Sequence, residues 1–148
     1  MPVDSLWYRR GSVALPENMD DEAALDRIEK MLTRQWKHNT ERGTDFVAFT
    51  GGFSVGMSWL ALVIYDRGVF WIVRESEGRR LRYRLRSLYG FVFCLFAALV
   101  VFIFGLLGEG LHRGLILGCL AFGWLYGMNM LIAAMRVPDL IERTVTAA

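Results

Sequence analysis

Cysteine and histidine are scarce in this 148-residue chain. Its two cysteines, Cys94 and Cys119, lie in separate apolar runs. That number and placement exclude a disulfide scaffold, and both read as packing residues. The two histidines, His38 and His112, stand far apart, and no Cys/His/carboxylate cluster has the spacing of a metal site. No metal and no cofactor is expected. Net charge is low as well: 17 Lys+Arg against 15 Asp+Glu leave +2. So small an excess argues against a nucleic-acid partner. A hydrophobic content of 54% excludes intrinsic disorder and exceeds the roughly 45–50% of a soluble chain.

Catalytic signatures are missing too. Gly51-Gly52-Phe53-Ser54-Val55-Gly56 is glycine-rich, but it lacks the Gly-Lys-Ser/Thr ending of a P-loop and the GxGxxG order of a dinucleotide site. Ser54 has no GxSxG context. A turn or bulge is expected there. No carboxylate pair and no Ser/His pair is visible, so the chain is not expected to be an enzyme.

The most informative absence is that of charge over two long runs. Ser87 to Gly108 holds 22 residues without a charge, and Gly114 to Met135 another 22. As helices these runs extend about 33 Å, against roughly 30 Å of hydrocarbon core. Two transmembrane helices are predicted, 87–108 and 114–135. Only Glu109 to Arg113 link them, so they form an antiparallel hairpin whose turn is loosened by Gly108 and Gly110. Residues 1–86 carry 14 of the 17 basic and 12 of the 15 acidic residues. Arg79, Arg80, Arg82, Arg84 and Arg86 precede the first span, Arg136 and Arg143 follow the second, and the tip holds only Arg113. The positive-inside bias then puts both termini in the cytoplasm of a bacterial-type inner membrane and the turn 109–113 outside. Residues 136–148 are left as a cytoplasmic tail. Met1 to Arg10 has no apolar signal core, and no cleavable signal peptide is expected.

What is present before the membrane runs reads as a small α+β domain, residues 1–86. Residues 20–37 form an amphipathic helix. Acidic Asp20, Asp21 and Glu22 open it. Leu25, Ile28, Leu32 and Trp36 give one apolar stripe, and Asp26 with Lys30 gives an i,i+4 pair. Leu6–Arg10 and Ser12–Leu15 are candidate strands, as is Phe46–Thr50. Trp59–Tyr65 and Val69–Arg74 read as a hairpin closed by Asp66-Arg67-Gly68. After Glu75-Ser76-Glu77-Gly78, Arg79–Arg86 alternates strictly. The fold class is thus one helix on an antiparallel meander, followed by a C-terminal transmembrane hairpin. Phe46 to Tyr65 is also 20 residues without charge, and a third span there stays open as an alternative.

Two sets of residues are candidates for function. In strand geometry Arg80, Arg82, Arg84 and Arg86 share a face, with Leu81, Tyr83 and Leu85 opposite. Such a row beside a bilayer attracts anionic lipid or an acidic partner. In the helices, small residues fall in stripes: Gly90, Ala97 and Gly105 in the first; Gly114, Gly118 and Asn129 on one side of the second, with Gly123 and Gly127 opposite. Small faces permit close helix approach. One side serves the hairpin; the other is free for a second membrane protein or a second copy. Neither span holds Asp, Glu, Lys, Arg or His, which argues against ion-coupled transport. The expected function is an integral membrane accessory or scaffold subunit. The alternative is a self-oligomerising protein that forms a pore or perturbs the membrane, with a cytoplasmic sensor domain.

Overall fold

Strict alternation of arginine with Leu81, Tyr83 and Leu85 suits an extended strand with one dry face. In the computed structural model, which describes residues 7–51 and 62–146, that strand is central. The elements are β1 (Tyr8–Ala14), α1 (Asp21–Arg34), β2 (Thr40–Arg42), β3 (Phe46–Thr50), β4 (Arg67–Glu75), β5 (Gly78–Arg86), α2 (Leu88–Glu109) and α3 (Leu111–Thr146). The strands form one antiparallel sheet in the order β1-β5-β4-β3-β2. The chain is therefore α+β, with two long apolar helices after the sheet. Both are long and apolar enough to cross a membrane.

Leu81, Tyr83 and Leu85 are buried, with Phe70 of β4 and Val47 and Phe49 of β3 beside them. Two helices cover this inner face. α1 contributes Ala24, Leu25, Ile28, Met31 and Leu32; α3 contributes Ala133, Val137, Ile141 and Val145. Asp20 precedes α1 and accepts a hydrogen bond from the Asp21 amide. At the other end Lys37 N donates to Leu32 O and Trp36 N to Thr33 O, while Trp36 takes a φ of 60°. This is a Schellman closure with tryptophan where glycine is usual. It turns Trp36 out to solvent and Lys37 into the core.

Several expectations change here. The hairpin loop at Asp66-Arg67-Gly68 is not formed. Arg67 and Gly68 belong to β4 and pair with both β3 and β5. Gly68 lacks a side chain because Phe49 and Leu85 occupy the space, 2.3 and 2.6 Å from where a Cβ would stand. Residues 62–64 are a turn rather than strand, and the other part of the expected strand, 59–61, lies outside the described residues, as does most of the glycine-rich 51–56. Phe46–Thr50 is a strand, so 46–65 is not one membrane helix. Helix α1 ends at Arg34, leaving Trp36 off its buried stripe. Asp26 bonds Arg42 of β2, with Lys30 of α1 adding only a weaker attraction, and Glu29 joins the same guanidinium at 3.0 Å. Bonds from Arg42 hold the Asp26 carboxyl below its ordinary range. Finally, α3 does not stop at Met135. It runs on through Pro138 to Thr146 and closes the core of the sheet domain.

Candidate functional site

Three features adjoin one another: the helix pair, the joint where β5 enters α2, and the outer face of the sheet.

In the helix pair the contact is backbone on backbone toward the tip. A Cβ on Gly105 would lie 2.8 Å from Gly114 Cα, and one on Gly114 would lie 2.8 Å from Leu106 N. A Cβ on Gly118 would stand 3.0 Å from Phe102 Cβ. Nearer the sheet, rings replace glycine. Phe91 meets Phe122 and Tyr126 edge-on at 5.5 and 5.3 Å, and Trp7 lies against Phe91 at 5.7 Å. Two assignments from sequence shift, those of Gly90 and Asn129. Gly90 packs on Ile64, whose carbonyl is 3.2 Å from its would-be Cβ, and not on α3. Of the two neighbouring alanines in the small-residue stripe of α2, Ala98 is buried and Ala97 half-buried. Asn129 is exposed and donates to Leu125 O of its own helix at 2.7 Å, so it makes no bond across the pair. Gly123 and Gly127 are exposed, with nothing within 4 Å of a would-be Cβ. Large apolar side chains of both helices also face outward: Phe104 is 74% exposed, Leu107 79% and, beside Gly123, Trp124 69%. At the tip Glu109 pairs with Arg113 at 2.6 Å.

The joint is a buried polar network. Asp66, 2% exposed, accepts from Arg86 Nε at 2.9 Å and from its terminal nitrogen at 2.5 Å, while its other oxygen takes the Leu88 amide at 2.7 Å. One carboxylate thus ties the last residue of β5 to the first turn of α2, where the helix dipole favours negative charge. Bonding to Asp66 raises the Arg86 guanidinium pKa. Ser87 N donates to Trp7 O at 2.8 Å, and its Oγ lies 3.4 Å from the Tyr126 hydroxyl. Behind this pair Lys37, 3% exposed, donates to Tyr65 O at 2.7 Å. Burial pulls Lys37 down to about 8, against the pull of Asp66. Burial also pushes Tyr65 up to about 12, and its hydroxyl has no partner among the described residues.

Opposite residues of antiparallel strands share a face. The register therefore assembles an outer face of three strands in rows. Tyr8–Arg86–Arg67 lies nearest α2, followed by Arg10–Arg84–Val69, Ser12–Arg82–Trp71 and Ala14–Arg80–Val73. Sequence reasoning had only the middle column. Arg10, Arg67, Trp71 and Tyr8 were missed, because cross-strand register decides their placement. The four arginines of β5 are not equivalent. Arg86 is held by Asp66, Arg82 pairs with Glu75, and Arg80 donates to Ser12 Oγ at 3.1 Å. Arg84 lies over the Tyr8 ring, 4.2 Å from its centre.

Among the described residues no group of three or more His, Cys, Asp or Glu could hold a metal ion. No protein-family model matches the chain, and neither a curated protein nor a solved structure is significantly similar to it.

Proposed function

We propose that this chain is an integral membrane accessory subunit that associates with another membrane protein through the open face of α3. The hairpin crosses the inner membrane, with both termini and the sheet domain in the cytoplasm, as the arginine bias favours. The exposed apolar side chains of α2 and α3 support this placement, since water would penalise so large an apolar surface. Trp7, Tyr8 and Tyr89 at the α2 end of the sheet suit the interfacial level of a bilayer.

The observation that carries the reading is the unequal use of glycine. Gly105, Gly114 and Gly118 are consumed by α2–α3 contact, whereas Gly123 and Gly127 contact nothing. Close approach of a further helix is what such a face permits. Native mass spectrometry of the chain in mild detergent should find a stoichiometric foreign subunit. Gly123→Leu with Gly127→Leu should release it while membrane insertion persists. Retention of the subunit by that variant would overturn the reading, and a pure homo-oligomer would replace it with self-assembly.

A further inference from the structure

We infer that the outer sheet face carries an anionic-lipid site: a depression beside α2 holds the phosphate of a phospholipid from the bilayer that the helix pair crosses. The inference rests on the membrane reading above. The depression measures about 220 Å³ and is lined by Tyr8, Arg67, Gly68, Val69, Arg84 and Arg86.

Position comes first. Arg67 and Arg86 stand in the row adjoining Ser87, and α2 begins at Leu88. The headgroup layer beyond the hydrocarbon core is roughly 5–8 Å thick on each side. Arg67 and Arg86 fall within that reach, and Arg84 leans toward them over Tyr8. Arg80 stands three rows away, near the far end of the strand.

Charge is the second argument. Arg67 lies directly opposite Arg86, and Arg84 directly opposite Arg10. Like charges facing each other across strands are destabilising. Asp66, the carboxylate that bonds Arg86, is buried and already shared between Arg86 and the Leu88 amide. It satisfies Arg86 and leaves Arg67 and Arg84 without an ion pair among the described residues. A phosphate between them relieves that repulsion, and guanidinium groups suit it because they bind phosphate through paired N–H donors. The depression is small and lies at the row that adjoins α2, so a headgroup enters it while its acyl chains lie along α2. The site therefore runs across strands β4 and β5 at the membrane edge, not along the arginine row of β5.

The test compares two double variants of equal charge in the full chain. Each is reconstituted into phosphatidylcholine nanodiscs with and without phosphatidylglycerol, and bound lipid is counted after detergent extraction. Arg67→Gln with Arg84→Gln should lower phosphatidylglycerol affinity about 30-fold, the factor that ~1 kcal/mol per arginine carries. Arg80→Gln with Arg82→Gln should change it less than about twofold. Arg67→Lys with Arg84→Lys should retain most of the binding, which guards against misfolding of the first variant. Equal losses from both Gln pairs would reduce the site to a diffuse field and overturn the inference. So would absence of retained phosphatidylglycerol in the unmodified chain, displacement of lipid by millimolar inorganic phosphate, or displacement by an acidic peptide. The Gly123→Leu with Gly127→Leu variant should lose the partner subunit and keep the lipid, so failure of either reading is identified separately.

Discussion

Helix α3 is one continuous helix with two different ways of making contact. Over its first half the buried positions are Gly114 and Gly118, while Leu115, Leu120 and Trp124 point outward. Over its second half the buried positions are Ala133, Val137, Ile141 and Val145, while Asp139, Glu142 and Arg143 point outward. The pattern inverts along a single element. In an apolar surrounding a leucine gains nothing by moving inside, so small residues set the contact and backbone proximity supplies the attraction. In water the same leucine or valine is driven inward, and charge covers the outside. On the membrane placement proposed above, the change of rule between residues 124 and 137 falls where the helix would pass from bilayer to water.

The largest test of this contrast removes residues 136–148. Val137, Ile141 and Val145 are each fully buried in the sheet domain, and each buried side chain of that size contributes about 1.5–3 kcal/mol. Their joint loss, about 5–9 kcal/mol, rivals the whole stability of a small domain at about 5–15 kcal/mol. Limited proteolysis of the reconstituted protein should then cut within residues 7–86, while α2 and the first half of α3 stay protected. A domain that resists protease without this segment would mean that α1 alone closes the core.

The next tests the water side by pH. Lys37 sits near 8 in the folded chain because burial disfavours its charge, against about 10.4 when unfolded. The folded state therefore binds fewer protons than the unfolded state between those values, and stability rises with pH there. The expected gain from pH 8 to 10 is about 2–3 kcal/mol at 1.36 kcal/mol per unit. Above pH 10 it is opposed by Tyr65, whose phenol is held protonated to about 12. There the unfolded chain loses its proton first, so stability falls. Thermal unfolding of the sheet domain across this range should show the rise, and Lys37→Met should abolish it.

On the apolar side the contrast is between glycines. Gly114→Leu places a side chain against Leu106 N and Phe102 O, both backbone atoms that cannot move aside. Overpacking of this kind costs roughly 1–3 kcal/mol. It should lower the midpoint of unfolding of the helix pair in a detergent titration. Gly127→Leu meets nothing, and the midpoint should stay where it is.

The two regions were also unequally legible in the sequence. The helix pair declared itself through two 22-residue stretches without charge, because an uncharged helix of that length has few other uses. The strand at Arg79–Arg86 was equally plain, since alternation of arginine with Leu81, Tyr83 and Leu85 suits no other element. Asp66-Arg67-Gly68 misled because its composition is that of a turn. The carboxylate is there for Arg86 and the α2 amide, contacts made at long range. Strand β2, with Thr40, Glu41 and Arg42, carries no apolar signal at all. The closing segment carries its own signal: Val137, Ile141 and Val145 recur every fourth residue, a helical stripe in what the charge pattern alone makes a tail. Tyr8, Arg10, Arg67 and Trp71 join the basic face only through register, which local pattern does not encode.

Asn129 offers the smallest and most discriminating test of the apolar half. A polar side chain in a membrane helix commonly bonds across to its neighbour, a contact worth about 0.6 kcal/mol on average. Here its amide donates to Leu125 O, within the same helix, and its side chain is exposed. Asn129→Leu removes a donor without stranding a partner across the pair, because the Leu125 carbonyl keeps its place in the helix ladder. The detergent midpoint of the helix pair should therefore hold within about 0.5 kcal/mol, or rise slightly, since an apolar replacement of a locally satisfied group is nearly neutral. A fall beyond that would place Asn129 inside the α2–α3 contact and move the boundary between the two packing rules toward the sheet.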